Sequence, residues 1–161
     1  MDAIMTGSFD PITLGHIEII KKASKCFEHF YVVALLNTEK NYLFTPEEKK
    51  ELMELSLSDI DNVIVDTYDG FTADYMHQRS ICKIIRGIRN EQDLEYEKKI
   101  SNAMKAYDPD FDTFFIYSSP EYKHISSSLV KEKLNEKEDI SSFVSPNAVD
   151  RILEIYNSKV Q

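Results

Sequence analysis

The chain has 161 residues, 42% hydrophobic and 29% charged, an ordinary balance for one globular unit with a sizeable core. Its formal net charge of −9 argues against unspecific nucleic-acid binding, which asks for a basic face, though a few local Arg and Lys residues can still hold a small anion. No apolar run approaches the ~20 residues of a membrane span, MDAIMTGSFD lacks the basic leader of a signal peptide, and Cys26 and Cys82 form no C-x-x-C pair, so a cytoplasmic protein is expected.

Ala3-Ile4-Met5 reads as a first strand, and GSFDPITLGH (residues 7–16) follows it. There Gly7 would allow backbone to approach a ligand closely and Asp10-Pro11 would set a turn. Gly15 would leave the next helix open at its start, where free N–H groups can meet an anion. His16, in that first turn, could donate a hydrogen bond to charge that grows in a transition state. On spacing alone, a turn with an incidental histidine accounts for the stretch equally well. It is neither a Walker loop nor a G-x-G-x-x-G fingerprint.

Ile17, Ile20, Ala23 and Phe27 recur at helical spacing. FYVVALL (residues 30–36) predicts a second strand, followed by NTEKNYLF with the lone Lys40. Thr45-Pro46-Glu47-Glu48 is a capping box with proline at the first helical position. Val63-Ile64-Val65 and ICKII (residues 81–85) predict two more strands. After the latter comes RGIR, whose Arg86 and Arg89 are placed to fork onto phosphate oxygens at a strand's end. The acids of NEQDLEYE read mostly as a solvated helix face, with one free to meet a ligand hydroxyl or hold an arginine, and Tyr96, Ile100, Ala103 and Tyr107 as one face of that helix.

Phe114-Phe115-Ile116 predicts the fifth strand. HISSSLVKEKL (residues 124–134) opens a helix with three serines, whose hydroxyls beside unpaired N–H groups suit a polyphosphate tail. Val149, Ile152, Leu153 and Tyr156 mark a last helix, begun near Pro146. Continuous rather than alternating apolar runs point to strands buried on both faces. The alternation predicts an α/β fold: a Rossmann-like, doubly wound, five-stranded parallel sheet with helices on both faces, in one domain over residues 1–161. In such a sheet ligands bind beyond the strands' carboxyl ends, where the unusual residues cluster. His29, His77 and His124 show no metal-ligand spacing, no metal site is expected, and no nucleophile motif is present.

Taken in order, S-F-D-P-I-T-L-G-H, a lone Lys before F-T-P-E-E, R-G-I-R-N-E-Q-D-L-E-Y-E and I-S-S-S-L-V closely resemble the bacterial phosphopantetheine adenylyltransferases of the nucleotidyltransferase superfamily, from about residue 3 to residue 146. The resemblance implies adenylyl transfer from ATP to 4′-phosphopantetheine, giving dephospho-coenzyme A and pyrophosphate, by in-line attack with no covalent enzyme intermediate. It implies that His16 stabilises the pentavalent transition state and that Lys40 and Arg89 share the catalytic work. Ser8 and Lys40 would hold the acceptor phosphate, Thr72 and Arg86 would contact phosphopantetheine, and Ser8 with Phe9 would lie beside ATP. Gly87, Ile88, Arg89 and Glu97 would also meet ATP, and Tyr122, Lys123, His124, Ile125, Ser126, Ser127 and Ser128 would wrap its adenine and outer phosphates.

Mg²⁺ with ATP, coenzyme A as a feedback ligand and a homohexamer are further implications. Ser8 stands where threonine is usual, Met104 where asparagine often reaches the pantetheine arm, and Asn135 where a basic residue is frequent. The alternatives are a related nucleotidyltransferase with another phosphate acceptor, or a non-catalytic nucleotide sensor on the same fold.

Overall fold

The computed structural model describes residues 1–161. Five parallel strands, β1 (Ala3–Gly7), β2 (Phe30–Leu35), β3 (Val63–Tyr68), β4 (Lys83–Ile88) and β5 (Asp112–Tyr117), form one sheet in the order β3-β2-β1-β4-β5. Helices α1 (Leu14–Ser24), α2 (Pro46–Ser56), α3 (Thr72–Arg79), α4 (Glu91–Tyr107), α5 (Ser127–Asn135) and α6 (Val149–Lys159) connect and cover it on both faces. The chain order reverses between β1 and β4. There the strands share a single registered pair, Ile4 with Ile84, against five pairs between β1 and β2. This leaves a crevice above their carboxyl ends, where a doubly wound sheet takes its ligands.

One apolar cluster lies under α1 and α2, built on Met5, Ile20, Val32 and Met53. A second fills the opposite face around Ile4, Val33, Tyr75 and Ile84. A third joins α2, α5 and α6 through Leu52, Val130 and Ile152. Local signals set the helix starts. Thr45 accepts the Glu48 N–H while Glu48 accepts the Thr45 N–H, the capping box expected from the sequence.

Four expectations change. β4 starts two residues later than ICKII and takes in Arg86 and Gly87, so Arg86 projects from the strand rather than from the loop after it. α1 ends at Ser24, leaving Phe27 outside it, stacked on Phe30. On α4 the side turned inward carries buried Glu97 among partly buried Leu94, Ile100 and Met104, while Tyr96, Ala103 and Tyr107 are exposed: of the expected face only Ile100 turns inward, and an ion pair sits in the middle of the packing. β3 and β5 are edge strands, so Ile64, Phe114 and Tyr117 reach solvent despite their continuous apolar runs. Sequence reading also passed over α3, a short helix with no side-chain cap.

Candidate active site

A cavity of about 320 Å³ lies over the β1–β4 crevice. Two helix N-termini border it, since Gly15 and His16 of α1 and Ser127 and Ser128 of α5 are in its wall. The first N–H groups of a helix have no carbonyl partner within it, which makes such a rim favourable for anions.

His16 is fixed by the cap of its own helix. Its Nδ1 accepts the Thr13 N–H at 3.0 Å and lies 3.1 Å from Thr13 Oγ1, which in turn accepts the His16 N–H. An Nδ1 that accepts from an amide is unprotonated, so the ring proton sits on Nε2. The Phe9 ring meets the imidazole edge-on with centroids 5.0 Å apart. Phe9 is buried at a φ of 43°, a left-handed conformation uncommon outside glycine and worth its strain where it places a functional neighbour. Burial, reinforced by the positive charge of Arg89, lowers the His16 pKa from 6.5 to about 4, so the ring is a neutral donor at neutral pH.

The two glycines that bracket the first loop, Gly7 at the end of β1 and Gly15 in the first turn of α1, both line the cavity and both pack closely on protein. A Cβ on Gly7 would meet the Phe9 ring at 3.3 Å, and one on Gly15 would meet the Ile125 carbonyl oxygen at 3.3 Å. Gly15 thus lets α1 dock against the turn before α5 and brings the two helix N-termini to one cavity.

Arg86 and Glu97 form a two-pronged pair. Nε and Nη2 donate to the two carboxylate oxygens at 2.7 Å each, while Nη1 donates to the Thr6 carbonyl at 2.9 Å. Arg89 donates from Nε and from its backbone N–H to Asp93, which leaves both Nη groups uncommitted. Of the three serines, Ser126 caps α5 by accepting the Leu129 N–H and Ser127 donates to the Pro11 carbonyl, so Ser128 keeps the free hydroxyl.

A narrower cavity of about 170 Å³ adjoins the first, lined by Leu35, Thr72, Ser101 and Met104 among others. Thr6, Arg86 and Glu97 are in the walls of both. Of the residues singled out from the sequence, His16, Phe9, Arg86, Gly87, Arg89, Glu97, Tyr122, Ile125 and Ser126 to Ser128 line the larger cavity, and Thr72 lines the narrower one. Ser8, Lys40, Ile88, Lys123 and His124 are in neither wall. Lys40 stands on the loop between β2 and α2 with its ammonium in no hydrogen bond or ion pair, and the Ile88 side chain is in the core.

Sequence reasoning missed Thr13, left open which acid of NEQDLEYE holds an arginine, a task that Asp93 and Glu97 both perform, and read Asp10 only as a turn former. The i,i+3 and i,i+4 spacings of Thr13 with His16 and of Arg89 with Asp93 carried the signal for Thr13 and Asp93. Asp10 is 2% exposed and accepts the Leu43 and Phe44 N–H groups at 2.9 Å each, with Lys131 at 3.2 Å. It ties the first loop to the loop that carries Lys40. Asp10→Ala is therefore expected to cost about 2–3 kcal/mol, since charge-assisted bonds to two amides are lost, and the urea midpoint reads it.

No carboxylate in the cavity wall is free for a cation, because Asp93 and Glu97 are both committed to arginines, and no cluster of three or more His, Cys, Asp or Glu ligands occurs in the chain. A Mg²⁺ arriving with ATP would take its ligands from phosphate oxygens and water.

A crevice rimmed by a helix-borne histidine, two arginines and a serine-led helix suits a phosphate-rich ligand, as a nucleotidyltransferase would need. A family model described as cytidylyltransferase-like matches residues 4–133, and the chain belongs to that family. Within it the chain falls among the phosphopantetheine adenylyltransferases. It is 40% identical over 144 residues to the enzyme of that name from Petrotoga mobilis, covering 89% of each chain. It is 41% identical over 147 residues to the one from Lactobacillus helveticus, covering 91% of this chain and 90% of that one.

Solved structures share the fold. One is described as a nicotinate-nucleotide adenylyltransferase from Vibrio parahaemolyticus, with a TM-score of 0.74 at 16% identity, covering 96% of this chain and 94% of that one. Another is Plasmodium falciparum nicotinic acid mononucleotide adenylyltransferase complexed with NaAD, with a TM-score of 0.70 at 17% identity, covering 99% and 98%. No helix is long and apolar enough to cross a membrane.

Proposed function

We propose that the chain transfers the adenylyl group of ATP to 4′-phosphopantetheine, forming dephospho-coenzyme A and pyrophosphate. The observation that carries this reading is the pair of adjoining cavities with Thr6, Arg86 and Glu97 as their common wall. The larger, with two helix N-termini and Arg89, suits a nucleoside triphosphate. The narrower, with Thr72, Leu35 and Met104, suits a long, mixed polar and apolar arm.

An oxygen of the acceptor phosphate attacks the α-phosphorus of ATP. The bond from that phosphorus to the bridging oxygen breaks, and pyrophosphate leaves with the electron pair. A phosphate monoester is already anionic at neutral pH, so no general base is needed, and catalysis is positioning and charge stabilisation. His16 Nε2–H donates to a non-bridging oxygen of the α-phosphorus as its charge grows. The Nη groups of Arg89, the first N–H groups of α5 and the Ser128 hydroxyl hold the outer phosphates. Lys40 and Ser8 hold the acceptor phosphate, and Lys40 must come in from its loop to do so. Glu97 serves by fixing Arg86, since both its oxygens are taken. Mg²⁺, held by ATP and water, would neutralise phosphate charge.

The test is pyrophosphate release from ATP and Mg²⁺ with and without 4′-phosphopantetheine. Release that depends on the acceptor, with dephospho-coenzyme A as product, is the expected result. Release with another phosphate acceptor but not with this one overturns the substrate assignment, and ATP binding without any transfer overturns the reaction.

A further inference from the structure

Lys49, on the first turns of α2, is 1% exposed, and its Nζ has no hydrogen-bond partner. A buried ammonium without a partner is costly, and an apolar side chain of similar length would fill the same space without that cost. Its one close neighbour of complementary character is the Tyr42 ring, with Nζ 3.2 Å from the ring centroid. Cation–π attraction strengthens with desolvation, and here the ammonium is buried while the ring is half-buried. The Tyr42 hydroxyl accepts the Asn37 N–H at 3.2 Å and donates to the Leu35 carbonyl at 3.4 Å. Tyr42 thus closes the loop of residues 36–45 on itself, and Lys49 pins that closure to α2. The far end of the loop is held at Leu43 and Phe44 by Asp10. Lys40 lies between the two fixed points.

We propose that Lys49 is a positioning residue: its ammonium on the Tyr42 face holds the loop in the shape from which Lys40 reaches the acceptor phosphate. This rests on the adenylyl-transfer reading and on Lys40 as a phosphate ligand.

Lys49 faces Asp10 from the first loop, Lys131 from α5, and Lys40 and Tyr42 from the loop before α2, while the neighbouring Glu48 carboxylate is taken by Thr45 and Lys159. Burial, opposed by Asp10 and reinforced by Lys131 and Lys40, lowers its pKa from 10.5 to about 8. The clasp is therefore charged at neutral pH and is lost as pH rises through about 8. The folded chain releases this proton more readily than the unfolded one, so the charge costs stability below about pH 8 and the cost fades towards 10.5.

The experiment uses the whole chain, with ATP and 4′-phosphopantetheine varied separately. Lys49→Met is expected to raise KM for 4′-phosphopantetheine about tenfold, the scale of a small misplacement, with KM for ATP unchanged. Its melting temperature at neutral pH should equal or exceed wild type, because a buried charge is gone. Lys49→Arg keeps a cation that stacks on tyrosine and stays charged, so it should restore KM and remove the rise in KM above about pH 8. Tyr42→Leu should match Lys49→Met, and the double variant should be no worse than either.

Trypsin nicking after Lys40, followed by mass spectrometry, should be faster in Lys49→Met and in Tyr42→Leu. That readout does not depend on turnover, so it separates failure of the clasp from failure of the proposed reaction. Unchanged nicking in both variants overturns the clasp. So does a lower melting temperature with equal rises in both KM values, which would make Lys49 a packing residue only.

Discussion

His16→Ala is expected to lower kcat by about 10²- to 10³-fold, the loss seen when one preorganised donor to a developing oxyanion is removed. KM for ATP should move little, because the bond strengthens only as the phosphorus becomes pentavalent. The fold should survive: the ring lies at a cavity wall, and Thr13 remains to cap α1. His16→Gln, which keeps an N–H donor at similar reach, should recover part of the loss. Since His16 titrates at about 4 rather than 6.5, kcat should show no break from its protonation near 6.5. The same shift has a stability sign. The folded-state value lies below the unfolded one, so the contribution is full above pH 6.5 and is lost as pH falls towards about 4. Wild-type turnover in His16→Ala would remove the histidine from the mechanism.

Arg86→Met is the second large effect, and it acts first on the fold. Glu97 is 9% exposed, and both its oxygens accept from Arg86. Removing one partner of a buried pair strands the other charge, at a cost of about 3–5 kcal/mol. Arg86→Met with Glu97→Met takes both charges out and should recover most of that stability, because a well-packed apolar pair replaces the ion pair. Turnover should not recover with it, since the wall between the two cavities then has no guanidinium. Chemical denaturation of the single and double variants beside their kcat values separates the two roles. Equal stability of Arg86→Met and wild type would show that the pair is not what holds α4 against the sheet.

What could be read from the sequence was local. The capping box at Thr45, the serine-led start of α5 and the five apolar runs each depend on residues within a few positions of one another; the first two stand where expected and each run overlaps a strand, with β4 starting two residues late. The α4 face was misread because Tyr96 and Tyr107 have helical spacing but point to solvent, while the inward position is a glutamate whose partner lies 11 residues away on a strand. Glycines 7 and 15 line the cavity, and they also accommodate Phe9 and Ile125, contacts that no local spacing announces. Asp10 was legible only as a turn former and Lys49 not at all, because the groups that define them are brought in by the packing of α2, α5 and the first loop, a relation that no spacing rule contains.

The wall that Thr6, Arg86 and Glu97 share between the two cavities has a kinetic consequence. On the proposed reaction each substrate would occupy one compartment and pay its own loss of translational freedom. The product of joining them is a bivalent ligand: once either end is seated, the other finds its compartment at a high effective concentration. Such a molecule leaves more slowly than either substrate, unless one end is released first. On the proposed reaction, therefore, pyrophosphate departure vacates part of the larger compartment and loosens the nucleotide end, so the order of leaving is written into the partition between the two chambers.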